Sequence, residues 1–327
     1  MKRRSIISLA GGVTLGAALP VFGQTAPKVW RIVYFEPSGP GTFEGALVEF
    51  RQGMKELRWT EGRDYVIDSR VVDGFALKGN LDGPLDELFA TRPDLVLTSG
   101  IRPAHRLAQR TRTVPIVAAY MNGDPVAGSL VTSLARPGAN VTGLTTFASE
   151  LGPKRLQLIN EAVPKVAHVG LLVEPSSSAG SAAQVKLIEE AATRLGMRVT
   201  PLEWRLVADL DSAFKLGTER GVQAYLFADS PLIVLARRAI SEHILRVKLP
   251  AMFGIYEGSL LSYSIAWKDN FRRAASYADR IFKGANAGEL PIEQPTKFEL
   301  VVNLKTARAI GVAIPQSLLL RATDVIA

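Results

Sequence analysis

Apolar and polar positions along the chain follow two alternating rhythms. Residues 29–35 (VWRIVYF) form a β-branched and aromatic run that predicts a buried strand. Residues 43–57 then place Leu47, Phe50, Met54 and Leu57 at helical spacing. Residues 64–74 (DYVIDSRVVDG) alternate as a strand, and a helical stretch surrounds LDELFATR. Residues 94–100 (DLVLTSG) form a short apolar run that ends in small residues. PAHRLAQRT follows as a helix and PIVAAYM as a strand. Strands that alternate with helices predict βαβ units and a parallel sheet.

The stretch 124–144 (DPVAGSLVTSLARPGANVTGL) then interrupts the rhythm. Asp124 is a good N-cap and Pro125 a good first helical residue, which predicts a short helix over 126–135. Arg136-Pro137-Gly138-Ala139-Asn140 breaks that helix, and VTGL returns as a strand. The alternation restarts after it. Residues 150–163 are helical, 166–173 form a buried strand, and QVKLIEEAATRLG is a helix with Gly196 as its C-cap. MRVTPLEW is a strand, 210–220 a helix, AYLFADS a strand, 232–245 a helix and PAMFGI a strand. Residues 270–283 are amphipathic, and FELVVNLKTARAIGV completes the pattern.

Two such runs, each of domain size, predict an α/β protein of two doubly wound parallel-sheet lobes. No linker rich in Ser, Gly or Pro separates them, so several short crossing strands and a hinge are expected. The expected division is an export signal at 1–23, lobe 1 at 24–148, lobe 2 at 149–257, and hinge crossings with a C-terminal segment returning to the lobes at 258–327. Open parallel sheets bind ligands at the carboxyl ends of their strands, so the site is expected in a cleft between the lobes.

Composition adds constraints. With 47% apolar residues among 327, the chain can bury sizeable cores. The first residues (MKRRSIISLAGGVTLGAALPVFG) have a basic start, an apolar middle and small residues at a cleavage point after Gly23, as in an export signal. Arg3-Arg4-Ser5-Ile6-Ile7 also fits the twin-arginine type. The chain has no Cys, which excludes disulfides, thiolate sites and a lipoprotein anchor. The exported protein is therefore expected free in a bacterial periplasm. The net charge of +8 includes Lys2, Arg3 and Arg4, which leave with the signal. The remaining excess is modest and interspersed, so no nucleic-acid partner is expected. His105, His168 and His243 show no metal-site spacing, and neither metal nor cofactor is expected.

Candidate ligand contacts lie at predicted strand ends. Ser38-Gly39-Pro40-Gly41-Thr42-Phe43-Glu44-Gly45 superficially resembles a nucleotide-binding glycine loop, with Asp68 or Asp73 as the ribose acid. Pro40 removes an amide donor, however, and the loop is too long for that turn. The remaining readings are a plain βα turn, or a pocket loop in which Ser38, Thr42 and helix N-terminal amides bind a carboxylate. Ser99 and Gly100 end a buried strand and can offer a hydroxyl and an amide; Ser99 can equally cap the next helix. Glu174, Ser176 and Ser177 mirror that loop in lobe 2, and Asp229 with Ser230 makes the same offer. Glu174 or Asp229 would pair with an ammonium group, although Asp229 also suits an N-cap. Tyr120, Phe253 and Tyr256, at or near strand ends, form either a stacking box or core.

The stretch 124–144 closely resembles a signature segment of the ABC-transporter substrate-binding proteins that include tryptophan- and tyrosine-binding periplasmic components. FRQGMKELRWTEGRDYVID, ELGPKRLQLINEAVPKVAHVGLLVEP and the block from FRRAASYADRIF to LLLRATDVI resemble further blocks of that family. The resemblance implies a fold of the type I periplasmic-binding-protein kind. It also implies a non-enzymatic, monomeric solute-binding protein that closes on an aromatic or other apolar amino acid and docks on an inner-membrane ABC permease. Three places depart from the pattern. Glu174-Pro175 stands for Asn-Pro, Gly100-Ile101-Arg102-Pro103 for Gly-Thr-Pro, and Gly258-Ser259-Leu260-Leu261-Ser262-Tyr263 for a Gly-Gly turn before Met-Ser-Tyr. The first two lie on predicted pocket loops and bear on the ligand, not the fold. The alternatives are an exported sensor that reports to a membrane receptor, and an exported α/β enzyme with Asp229 or Glu174 as acid or base.

Overall fold

A computed structural model describes residues 28–41, 43–74, 77, 79–121, 124–146, 148–175, 178–254 and 258–327. The expected export signal at 1–23 lies outside these residues.

The predicted alternation is present. Lobe 1 begins with β1 (Trp30–Glu36), α1 (Ala46–Glu56), β2 (Tyr65–Val71), α2 (Asp82–Ala90), β3 (Leu95–Ser99), α3 (Ile101–Arg110), β4 (Ile116–Met121) and β5 (Val141–Thr145). Its sheet is entirely parallel, in the order β2-β1-β3-β4-β5. β3 reads as an unbroken apolar run because it is buried on both faces. One face packs on Phe50 and Met54 of α1, and the other on Leu85 and Leu88 of α2 and Leu107 of α3.

Lobe 2 contains α4 (Ala148–Ala162), β6 (His168–Val173), α5 (Ser178–Arg194), β7 (Arg198–Glu203), α6 (Leu210–Glu219), β8 (Ala224–Phe227), α7 (Pro231–Val247), β9 (Ala251–Phe253) and β10 (Leu261–Ile265). The chain then returns to lobe 1 with α8 (Trp267–Phe282). It finishes in lobe 2 with β11 (Phe298–Asn303), α9 (Leu304–Ile310), α10 (Gln316–Arg321) and β12 (Asp324–Ile326). The second sheet has the order β12-β11-β10-β9-β8-β6-β7.

The pair β10–β11 is antiparallel, a departure from the purely parallel expectation. Its cause is topological. β10 runs towards the cleft and leaves for α8, so the returning β11 starts at the cleft and runs away from it. The outgoing and returning segments are joined where Ala266 N donates to Lys297 O at 3.1 Å. The return also runs beside β5, with Glu293 N bonded to Gly143 O at 3.0 Å.

α8 completes the core of lobe 1 although it lies far along the chain. Phe271, Ala274, Ala275 and Ala278 pack there without exposure. Gly53 of α1 makes the approach possible, because a Cβ at that position would stand 2.3 Å from Arg272 O.

The helix expected over 126–135 is not formed. Asp124 does cap the segment, with Oδ1 accepting from Val126 N at 2.8 Å and Ala127 N at 3.1 Å. Ser129 then turns left-handed, at φ 56°, and Leu130 N bonds back to Pro125 O at 2.9 Å. This single turn drops the adjacent Leu130 and Val131 together into the lobe 1 core.

Candidate functional site

Each sheet reverses its winding direction between the first strand of its lobe and the third. That switch point lies between β1 and β3 in lobe 1, and between β6 and β8 in lobe 2. Crevices form outside the carboxyl ends of strands at such points.

In lobe 1 the switch point is occupied by Glu36 and Ser99, the last residues of β1 and β3. Ser99 Oγ donates to Glu36 Oε2, Tyr34 Oη donates to the same oxygen at 3.3 Å, and Ser38 N donates to Oε1 at 2.8 Å. Glu36 is 2% exposed. Burial pushes its carboxyl pKa up, and the hydrogen bonds from Ser99, from the amide and hydroxyl of Ser38 and from Tyr34 act in the opposite direction. Ser99, an expected ligand contact, therefore spends its hydroxyl on Glu36. Ser38 contributes both its amide and its hydroxyl to the same carboxylate and also forms a bridge with Asp73. Gly100 adopts φ 83° and donates from its N–H to Tyr120 O at 2.6 Å, so that amide is used inside the sheet edge.

In lobe 2 the carboxyl edge carries Glu174 directly after β6, and Asp229 and Ser230 after β8; Glu174 and Ser230 are buried. Asp229, expected to pair with an ammonium group or to cap the next helix, is engaged by a side chain of the protein. Arg155 of α4 donates from Nη1 to Asp229 Oδ2 at 2.8 Å and from Nε to Tyr263 O at 2.7 Å. Asp229 N donates to Gln184 Oε1 at 3.0 Å. Gly254, after β9, leaves room beside the pair: a Cβ there would lie 3.0 Å from Arg155 Nη2 and 3.3 Å from Asp229 Oδ1.

Tyr120 brings lobe 1 up to this pair. Burial drives its hydroxyl pKa far up, the Asp229 carboxylate adds to the shift, and the Arg155 guanidinium opposes it. The Tyr120 ring packs on Phe43, with centroids 5.2 Å apart, and Phe43 packs on Trp267 at 5.5 Å. The aromatic cluster at the cleft is thus Phe43, Tyr120 and Trp267. Phe253 is not part of it. Its side chain is fully buried in the lobe 2 core against Phe227, at 5.1 Å, because that face of β9 is covered by α6 and α7. Thr42, Ser176, Ser177 and Tyr256 lie outside the described residues.

The structure brings together Tyr120 and Asp229 from the expected set, and it adds Glu36, Arg155, Phe43 and Trp267. Glu36-Pro37-Ser38 repeats Glu174-Pro175-Ser176 at the equivalent strand end, and that repeat is the sequence signal that would have found Glu36. Arg155 has no comparable signal, since an arginine on an amphipathic helix usually faces solvent. Among the described residues no group of three or more His, Asp or Glu could hold a metal ion. No helix among them is long and apolar enough to cross a membrane.

Comparison with known proteins agrees with this architecture. A tyrosine-binding protein of Clostridioides difficile is 23% identical over 223 residues, which span 67% of this chain and 63% of that protein's length. The fold is similar to that of an ABC domain from Streptococcus pneumoniae in complex with L-Trp, with TM-score 0.79 and 22% identity over 91% of this chain and all of that one. It is also similar to a conserved domain protein from Vibrio cholerae, with TM-score 0.78 and 22% identity over the same shares. A ligand-free, open substrate-binding protein with adhesive properties from Clostridium difficile has TM-score 0.68 and 18% identity, over 91% of this chain and 99% of that one. Residues 52–326 match the family described as ABC transporter substrate binding protein, and the chain belongs to that family.

Proposed function

We propose that the chain is the solute-capturing component of an ABC uptake transporter. It is exported to the periplasm, acts as a monomer, closes its two lobes on one small solute and docks closed on an inner-membrane permease. The observation that carries this reading is the approach of Tyr120 in lobe 1 to the Arg155–Asp229 pair in lobe 2. A solute held there touches both lobes only when they are closed, so binding shifts the population towards closure.

The solute we favour is an amino acid with an aromatic or other apolar side chain. Phe43, Tyr120 and Trp267 supply flat apolar surface, and Arg155 supplies a buried positive charge for a carboxylate. The tyrosine and tryptophan named for the relatives point the same way. Catalysis by Asp229 is disfavoured by its ion pair, in which the Arg155 guanidinium already engages the carboxylate at 2.8 Å.

The test is a thermal-shift screen of the mature chain against amino acids, small carboxylates, nucleosides and sugars. A ligand that binds only the folded form raises the melting temperature by mass action. The expected result is a saturable shift with an aromatic or branched amino acid, together with a smaller radius of gyration in solution scattering. A hit without compaction would overturn closure, and hits confined to nucleosides or sugars would overturn the choice of solute.

A further inference from the structure

Beside Glu36 lies a cavity of about 440 Å3 at the carboxyl edge of β1 and β2. Its walls include Tyr34, Glu36, Phe43, Glu44 and Ser69, and the glycine-rich loop after β1 forms its rim. No Lys, Arg or His lines it among the described residues. The cation that comes near from lobe 2 is Arg237 of α7, and it meets the loop backbone: a Cβ at Gly41 would lie 3.5 Å from its Nη2.

Glu36 is the buried wall of this cavity. Its hydrogen bonds come from Ser99 Oγ, Tyr34 Oη, Ser38 N and the Ser38 hydroxyl, all neutral donors, and among the described residues it has no ion-pair partner. Nearly complete burial of a carboxyl without a counter-charge is costly unless the charge is compensated or quenched. These four donors fix the carboxylate in place, and the cavity leaves space beside it. The aromatic residues Tyr34 and Phe43 line the same space, and rings attract cations through their faces. A second carboxyl, Glu44, belongs to the same lining.

We infer that this cavity receives the ammonium group of the captured solute, with Glu36 as its counter-charge in place of Asp229, which Arg155 already engages. The inference rests on the solute-binding reading above and narrows it. The solute carries a primary organic ammonium, and its cationic end enters lobe 1.

The experiment uses the mature full chain and three probes that share one ring: benzylammonium, benzyl alcohol and benzoate. Melting temperature and dissociation constant are read for the native chain, for Glu36→Gln and for Glu61→Gln. Glu61 is a surface carboxylate paired with Arg51. Benzylammonium is expected to raise the melting temperature of the native chain and of Glu61→Gln, while the alcohol and the carboxylate leave both unchanged. In Glu36→Gln the benzylammonium affinity is expected to fall about tenfold or more, as for a lost charge-assisted hydrogen bond. Equal binding in Glu36→Gln, or no binding to the native chain, overturns the inference. Should Glu36→Gln not fold, the infrared carboxyl band of the native chain decides. Benzylammonium must diminish any neutral-acid band and perturb the carboxylate band, and an unchanged spectrum overturns the inference. A solute without an amine that stabilises the native chain and Glu36→Gln equally would overturn this inference while leaving the uptake reading in place.

Discussion

Arg155 donates to Asp229 at 2.8 Å with 2% of its side chain exposed, whereas Asp229 keeps 21% of its own exposed. The pair is therefore asymmetric in solvation. Removing Asp229 strands a guanidinium that has lost water and, among the described residues, keeps its bond to the Tyr263 carbonyl. Removing Arg155 leaves a carboxylate that water still reaches. Asp229→Ala is expected to cost about 3–5 kcal/mol, the range for leaving one partner of a buried pair uncompensated. Arg155→Met, which retains the apolar stem, is expected to cost about half as much, since its orphan is hydrated. Urea unfolding of both variants measures the difference. Equal losses would show that burial of Arg155 is not what sets the cost.

Gly143 lies in β5 at φ 138°, and a Cβ there would stand 2.1 Å from Ala118 O of the adjacent strand. Backbone cannot yield that distance without separating β4 from β5. Gly143→Ala combines a forced left-handed conformation with overpacking, each worth about 1–3 kcal/mol. The expected outcome is a loss of about 4 kcal/mol in denaturant unfolding, or failure to accumulate as soluble protein. A loss below about 1 kcal/mol would mean that β4 and β5 are joined more loosely at this point than the geometry describes.

Asp124 anchors the turn that replaces the expected helix. Its Oδ1 holds two amides, those of Val126 and Ala127. Asp124→Ala is expected to cost about 1 kcal/mol, the usual value of such a cap. Hydrogen exchange at these two amides locates the effect: both should lose protection while the amides of β4 and β5 keep theirs. Unchanged protection at Val126 would assign the turn to Pro125 and the core contacts of Leu130 instead.

Much of this architecture was legible because strands buried on both faces read as apolar runs and their helices as periodic ones. Strand direction was not legible. Nothing in FELVVN distinguishes a parallel β11 from an antiparallel one, and its sense follows from the excursion to α8. The site was less legible than the fold. Reading the first strand as ending at Phe35 left Glu36 in the loop, one residue short of the strand end that gives it its role. The strand-end position of Phe253 fitted either a stacking box or core, and the pleat turns it to the lobe 2 core. Arg155 is an arginine in a helix of mixed character, and only the tertiary fold shows that this face meets Tyr263 and Asp229.

His168 gives a prediction about acid. It opens β6 with 5% exposure, Arg198 Nη2 lies 2.8 Å from its Nδ1, and Thr200 Oγ1 lies 2.8 Å from its Nε2. Nδ1 also lies 3.1 Å from the Gly221 carbonyl, so this nitrogen faces a donor and an acceptor at once. Burial lowers the imidazole pKa below its ordinary 6.5, the Arg198 charge lowers it further, and the Gly221 carbonyl opposes both. Below pH 6.5 the unfolded chain therefore binds a proton that the folded chain resists. Stability from this residue is complete above that pH and is lost as the pH falls towards the folded-state pKa. The quantity to measure is the urea midpoint of the native chain against His168→Gln between about pH 8 and pH 5. The native chain should lose stability relative to the variant as the solution is acidified. A difference that stays constant across the range would mean that His168 titrates alike in both states and that Arg198 exerts no effective charge on it.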